Sequence, residues 1–207
     1  MREKLLTHTG RSAVLLLDNV DTDQIIPSRE MKRVDRKGLG EGLFAGWRYA
    51  DAGARVEDPE FVLNRQEQTG TTILIAGKNF GCGSSREHAA WALNEYGIRV
   101  IVAESFGEIF HGNCIRNGIL PITLSAEDIA TLASVTAPAD LTVDLVAQTV
   151  TCADLPGWQR NFEISGFAKK LLMEGLDPIA LTLTANDEIE SFFKKDAVQR
   201  PWVYSAA

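Results

Sequence analysis

The sequence predicts a mixed α/β fold, and three observations carry that prediction. Two short runs rich in β-branched residues, Thr72 to Ala76 and Ile98 to Ala103, enclose a helical pattern with Ala89, Ala92, Leu93 and Tyr96 at i, i+3, i+4 and i+7. Strand, helix and strand in that order form a βαβ unit, expected to be parallel and right-handed. Further on, the alternation of Leu141-Thr142-Val143-Asp144-Leu145 and of Thr149-Val150-Thr151-Cys152 reads as an antiparallel hairpin. Third, the 207 residues are 45% hydrophobic and 24% charged, with no internal repeat and no low-complexity linker, so one domain over residues 1–207 accounts for the chain.

Taken in order, Leu5 to Leu17 reads as one or two strands interrupted by the turn-like Thr9-Gly10, with Ala13 to Leu17 apolar enough for burial on both faces. Asp18 to Gln24 breaks it with three acids and an Asn, a loop whose side chains bond nearby backbone. After Ile25-Ile26-Pro27 comes a basic run of Arg29, Lys32, Arg33, Arg36 and Lys37. Glycines at 38, 40, 42 and 46 with Phe44, Trp47 and Tyr49 then predict an irregular, partly mobile segment able to fold over a ligand. Beyond Gly97, a natural C′ residue, and the strand from Ile98, a short amphipathic helix is marked by Phe106, Ile109, Phe110 and Cys114 and ended by Asn117-Gly118. Ile119 to Leu124 is a further strand, and Ser125-Ala126-Glu127-Asp128 opens the next helix. Phe162 and Ile164 add a strand, Phe167 to Leu176 and Asp187 to Lys195 are helical, and the tail from Gln199 is expected to be extended.

The stretch that carries chemistry is Gly77-Lys78-Asn79-Phe80-Gly81-Cys82-Gly83-Ser84-Ser85-Arg86-Glu87-His88, a glycine-rich loop between the Thr72 strand and its helix. Gly77, Gly81 and Gly83 allow close approach to the backbone. Ser84-Ser85-Arg86-Glu87 has capping-box spacing, which puts Ser84 at the helix N-cap and makes the loop a ready anion site, with Arg86 as a planar cation for a carboxylate. A serine hydroxyl there would accept N–H bonds on ionising. The spacing is neither G-x-S-x-G nor G-x-x-x-x-G-K-[ST], so a hydrolase elbow and a nucleotide P-loop both fit poorly.

Composition narrows the rest. Lys+Arg of 21 against Asp+Glu of 28 gives a net charge of −7, which argues against a nucleic-acid or anionic-membrane partner. Met1-Arg2-Glu3-Lys4 leads into no long apolar segment, and Ala13 to Leu17 is too short for a membrane span, so a cytoplasmic location is expected. Cys82, Cys114 and Cys152 are far apart and odd in number, and His8, His88 and His111 are scattered. No metal held by this chain alone is expected.

Asn79 to His88 resembles the serine-arginine signature of the swivelling domain of aconitase-type hydro-lyases. Asn19-Val20-Asp21-Thr22-Asp23-Gln24-Ile25-Ile26-Pro27, Leu43-Phe44 with Trp47-Arg48-Tyr49, Phe61-Val62-Leu63-Asn64, Ser105-Phe106 with Ile109-Phe110 and Asn113, and Gly175-Leu176-Asp177 with Leu181-Thr182-Leu183 are similar to the small subunit of bacterial 3-isopropylmalate dehydratase. The likeness runs in order over nearly the whole chain. It implies a swivelling β/β/α domain and one chain of a two-chain enzyme of leucine biosynthesis that interconverts 2- and 3-isopropylmalate through isopropylmaleate. It also implies a [4Fe-4S] cluster in the large subunit and no cofactor in this chain. By the same resemblance Ser84 matches the serine that removes the proton beside a carboxylate, Arg86 the arginine that binds a substrate carboxylate, and Asp23 an active-site aspartate, with Ser85 lining the site. A further family arginine matches Arg33 or Arg36. Related small subunits acting on dimethylmalate, citraconate or homoaconitate share these motifs, and a non-catalytic anion-binding module is the reading from a different class.

Overall fold

The computed structural model of the chain describes residues 2–31, 37–135 and 138–204. Arg33 and Arg36 lie outside the described residues. The elements run β1 (Thr7–Leu15), α1 (Thr22–Ile25), α2 (Ala45–Arg48), β2 (Tyr49–Asp51), β3 (Val56–Glu57), β4 (Ile73–Ala76), α3 (His88–Tyr96), β5 (Val100–Ala103), α4 (Glu108–Arg116), β6 (Leu120–Thr123), α5 (Ala126–Ala133), β7 (Asp140–Asp144), β8 (Thr149–Cys152), β9 (Gln159–Asn161), α6 (Gly166–Glu174), α7 (Pro178–Leu183), α8 (Asn186–Gln199) and α9 (Pro201–Tyr204).

Seven strands form one mixed sheet in the order β6-β5-β4-β1-β7-β8-β9, while β2 and β3 make a small separate ribbon. The first four of that order are parallel and the last four antiparallel, with β1 common to both halves. Its first residues, Thr7 to Arg11, pair with β7, and its last, Ser12 to Leu15, pair with β4. Gly10, expected in a turn, is therefore inside a single strand. A Cβ there would sit 2.0 Å from Thr72 Oγ1, so the glycine serves close approach where the strand changes partners.

Burial follows the two pairing modes. Every residue of β4 and β5 is buried, as parallel strands covered on both faces require, whereas β7 and β8 alternate buried and partly exposed positions. Leu74, Ala76, Ile101 and Ala103 point into a core shared with α3 and α4. Their neighbours Ile73, Ile75, Val100 and Val102 join Leu141, Val143 and Val150 of the antiparallel half in a second core that also takes Ile129, Leu132 and Leu172. The sheet thus curls so that its two halves share one interior, with α3 and α4 on the other side of the parallel half. That is a β/β/α layering.

Several local expectations are corrected. Leu39, Leu43 and Phe44 are buried, and the Phe44 ring lies 5.8 Å from Trp47 and 5.9 Å from Phe61, so this stretch is core rather than a ligand cover. The strand expected at Phe162 and Ile164 instead spans Gln159–Asn161. The tail continues as helix to Gln199 and again over Pro201–Tyr204 instead of extending. Among the described residues no helix is long and apolar enough to cross a membrane.

Candidate active site

Strands β1, β4 and β5 end side by side, and the loops that follow them continue the ladder beyond the sheet. Asn19 N donates to Lys78 O (2.8 Å), Gly81 N to Val20 O (2.7 Å) and Thr22 N to Cys82 O (2.9 Å). On the other flank Phe80 N donates to Ser105 O (3.0 Å) and Gly107 N to Phe80 O (2.9 Å). Side chains lock the same loops: Asp18 Oδ1 accepts from Lys78 N (2.8 Å), Ser105 Oγ from Asn79 N (2.8 Å) and Asn19 Oδ1 from Asn79 Nδ2 (2.9 Å). Gly81, at φ +75°, is required because a Cβ would meet the Phe110 ring at 2.2 Å. The result is a backbone-bonded platform at the carboxyl ends of parallel strands, the usual place for a ligand site in an α/β sheet.

On this platform the structure brings Ser84, Arg86 and Asp23 into one hydrogen-bonded group. Ser84 Oγ accepts from Arg86 Nε (2.8 Å) and from Arg86 N (3.3 Å). Arg86 Nη2 donates to Asp23 Oδ1 at 2.5 Å, and Nη1 donates to Ser28 Oγ at 3.3 Å. Ser28 Oγ in turn donates to Asp23 Oδ1 (3.2 Å). Of the five guanidinium N–H groups these contacts use three, leaving two for a carboxylate. The side chains of Arg86 and Asp23 are 37% and 54% exposed, so the group opens to solvent on one side.

Ser84 is not the helix N-cap. α3 begins at His88, with Glu87 before it and no side-chain cap. Both halves of the expected capping box have other partners: the Glu87 carboxylate pairs with Arg116 of α4 (3.3 Å), and Ser84 N donates to Thr22 Oγ1 (3.2 Å). What faces the Ser84 oxygen is therefore Arg86, not a helix terminus. The true capping box is Asp21 to Gln24, where Asp21 Oδ1 accepts from Gln24 N (2.7 Å) and Gln24 Oε1 accepts from Asp21 N (2.8 Å). It opens α1, a four-residue helix where the sequence predicts a loop, and that turn aims Asp23 at Arg86.

Ser85 is exposed, and its carbonyl accepts from Asn113 Nδ2 of α4 (3.3 Å), whose Oδ1 is bonded by Arg116. Ser28 is the contact that sequence reasoning missed, since a serine after Pro27 has no distinguishing pattern. The cysteines do not fit a cluster. Cys114 lies in the core beside α3, Cys152 in the core between the sheet halves, and burial pushes both thiols up. Cys82 stands apart in the loop, 3.4 Å from Asn19 O. Among the described residues no group of three His, Cys, Asp or Glu is placed to hold a metal.

The family model for the aconitase C-terminal domain matches residues 2–127. A curated relative from Cupriavidus necator, the 3-isopropylmalate dehydratase small subunit, is 52% identical over 204 residues, 98% of each chain. The chain belongs to the 3-isopropylmalate dehydratase small-subunit family. Another member, from Halalkalibacterium halodurans, is 50% identical over 92% of this chain and 97% of its own. A crystal structure of 3-isopropylmalate dehydratase from Methanocaldococcus jannaschii superposes with a TM-score of 0.67 at 27% identity, covering 90% of this chain and 98% of that one. This small-subunit chain presents its polar group partly exposed to solvent rather than in a closed pocket.

Proposed function

We propose that Ser84, Arg86 and Asp23 are this chain's share of an active site completed by a large subunit, in a hydro-lyase that interconverts 2- and 3-isopropylmalate in leucine biosynthesis. The observation that carries the reading is the Ser84 oxygen facing two N–H groups of Arg86, at 2.8 and 3.3 Å, while the same guanidinium keeps two further N–H groups for a carboxylate. Those contacts stabilise an alkoxide more than a hydroxyl, which makes Ser84 usable as a base. Its oxygen takes the proton from the carbon next to a substrate carboxylate, and the electron pair left behind is spread onto that carboxylate, held by Arg86. Hydroxide then leaves the neighbouring carbon, giving isopropylmaleate. Return of proton and hydroxyl to exchanged carbons gives the isomer.

Asp23 orients Arg86 for this step, and Ser85 lines the same face. A [4Fe-4S] cluster held by the large subunit would supply the Lewis acid for the leaving hydroxyl. A cytoplasmic location belongs to the same proposal. Substrates such as dimethylmalate, citraconate or homoaconitate are the second reading, and relatives at about half identity named for isopropylmalate favour the first.

The test is reconstitution. Purified anaerobically with iron and sulfide, the lone chain should be colourless and inactive, and adding a reconstituted large subunit should give isopropylmalate turnover. Ser84→Ala should then lower kcat by several orders of magnitude without weakening assembly. Because Ser84 caps no helix, its melting temperature should stay near wild type. A brown, active preparation of the chain alone, or near-normal kcat in the assembled Ser84→Ala enzyme, would overturn the reading.

A further inference from the structure

Beyond Leu176 the chain leaves the body as an arm of three helices, α7, α8 and α9, that buries almost nothing. Among the described residues from 177 to 204 a single one, Asp196, is buried. Within the arm the hydrogen bonds of Asp177 and Asp196 are local. Asp177 caps α7 through Ala180 N (2.7 Å), and Asp196 accepts from Arg200 Nε (2.7 Å) and Tyr204 Oη (2.7 Å), tying α9 back to α8. Large apolar side chains meanwhile face solvent: Ile179 (73% exposed), Leu183 (61%), Phe192 (56%), Phe193 (50%), Trp202 (70%) and Val203 (55%). Ile189, Phe192 and Phe193 fall at i, i+3 and i+4 of α8, the stripe of a helix meant to pack on something.

The exposed apolar area of those six side chains adds up to something on the order of 700 Å², close to one partner's share of a standard protein interface. Two observations bear on what covers it. The Cupriavidus necator relative matches over 204 residues, too long an alignment to omit the arm, and it bears the name of a small subunit. The arm is also rooted away from the candidate site. Leu5 N donates to Leu172 O (3.0 Å) and Arg2 N to Gly175 O (3.0 Å), so α6 hands the chain to the arm beside the start of β1. The site lies past the end of β1, roughly 25 Å further along the strand.

We propose that this arm is a second docking surface for the large subunit, separate from the contact that completes the active site. It anchors the two chains at a distance from the Ser84 face. This rests on the two-chain reading above.

The experiment uses the full chain and the large subunit of the Cupriavidus necator dehydratase, reading turnover as this chain is titrated in. Phe192→Asp with Phe193→Asp, and separately Ile179→Asp with Leu183→Asp, should raise the half-saturating concentration at least ~30-fold while kcat at saturation stays at the wild-type value. The melting temperature of each variant alone checks that the body is intact, and the second pair decides the matter if the first loosens α8. Half-saturation unchanged in both folded variants overturns the arm proposal, as does an effect confined to self-association of the lone chain in sedimentation, which would make a second copy the occupant. If the unaltered chain gives no turnover with the large subunit while sedimenting with it, the functional reading fails and the arm proposal is judged by co-sedimentation of the same variants. Ser84→Ala should show the opposite pattern, normal association and no turnover.

Discussion

The two halves of the sheet share β1 yet differ in what they carry. In the parallel half, β1, β4 and β5 all end on one edge, so the loops at 18–21, 77–87 and 104–107 leave side by side and hydrogen-bond to one another as a prolonged ladder. In the antiparallel half each strand returns after a turn, as at 145–148 between β7 and β8, and successive connections fall on opposite edges. Three loops on one edge can place groups distant in sequence, such as Asp23 and Arg86, within hydrogen-bond reach. Alternating hairpins spread their turns apart. The contrast picks out the edge that carries the candidate site without reference to residue type.

The comparison breaks most sharply at Arg86. Arg86→Lys keeps the charge but replaces a fork that bonds Ser84, Ser28 and Asp23 with a single ammonium. In the assembled enzyme kcat/KM should fall about 10²- to 10³-fold, with stability changed by no more than about 0.5 kcal/mol. Retention of more than a tenth of the activity would show that the fork geometry does not matter.

The same contrast can be measured on backbone. Gly81, in the parallel platform, has φ +75° and the Phe110 ring 2.2 Å from where a Cβ would stand, whereas Gly157, in the turn between β8 and β9, has φ +81° and open space. Both Ala variants incur the left-handed penalty, about 1 kcal/mol, but only Gly81→Ala adds overpacking, for a total of about 3 kcal/mol or more. Urea unfolding of the two variants gives the difference directly. Equal losses would mean that the platform yields as readily as the turn.

What the sequence disclosed follows the same division. The βαβ unit and the hairpin were legible because periods of 3.6 and 2 survive in single elements, and the glycine-rich loop announced close backbone approach. Only the N-cap position expected for Ser84 fails, because local spacing cannot show that Glu87 would be drawn to Arg116 and Ser84 N to Thr22, partners 29 and 62 residues away. Gly10 looked like a turn because a strand that changes partners has no pattern of its own. The aromatic stretch around Phe44 looked like a ligand cover because glycines imply irregularity, and irregular backbone can still be core. Asp23 came from family resemblance, and Ser28 from neither pattern nor resemblance.

The smallest expected effect sets one histidine on each side of the comparison. His8, in the antiparallel-paired part of β1, has its pKa lowered chiefly by burial and further by the charge of Arg99, with Glu3 opposing, and its Nε2 lies 2.8 Å from Thr72 Oγ1. His111, on α4 beside the parallel half, is lowered by burial. The unfolded chain protonates both near pH 6.5. Below that pH the unfolded state therefore binds protons that the folded state refuses, so stability is full above about pH 6.5 and declines as pH falls toward the two folded pKa values. Each histidine alone contributes part of that acid slope. His8→Gln and His111→Gln should each flatten the dependence of unfolding free energy on pH between about 6.5 and 5, measured by urea unfolding across that range. The two sit on different elements with no bond between them, so the double variant should lose both contributions additively. A slope unchanged in His8→Gln but flattened in His111→Gln would show that the Thr72 contact holds a protonated ring as well as a neutral one, and that the pivot of β1 is insensitive to acid.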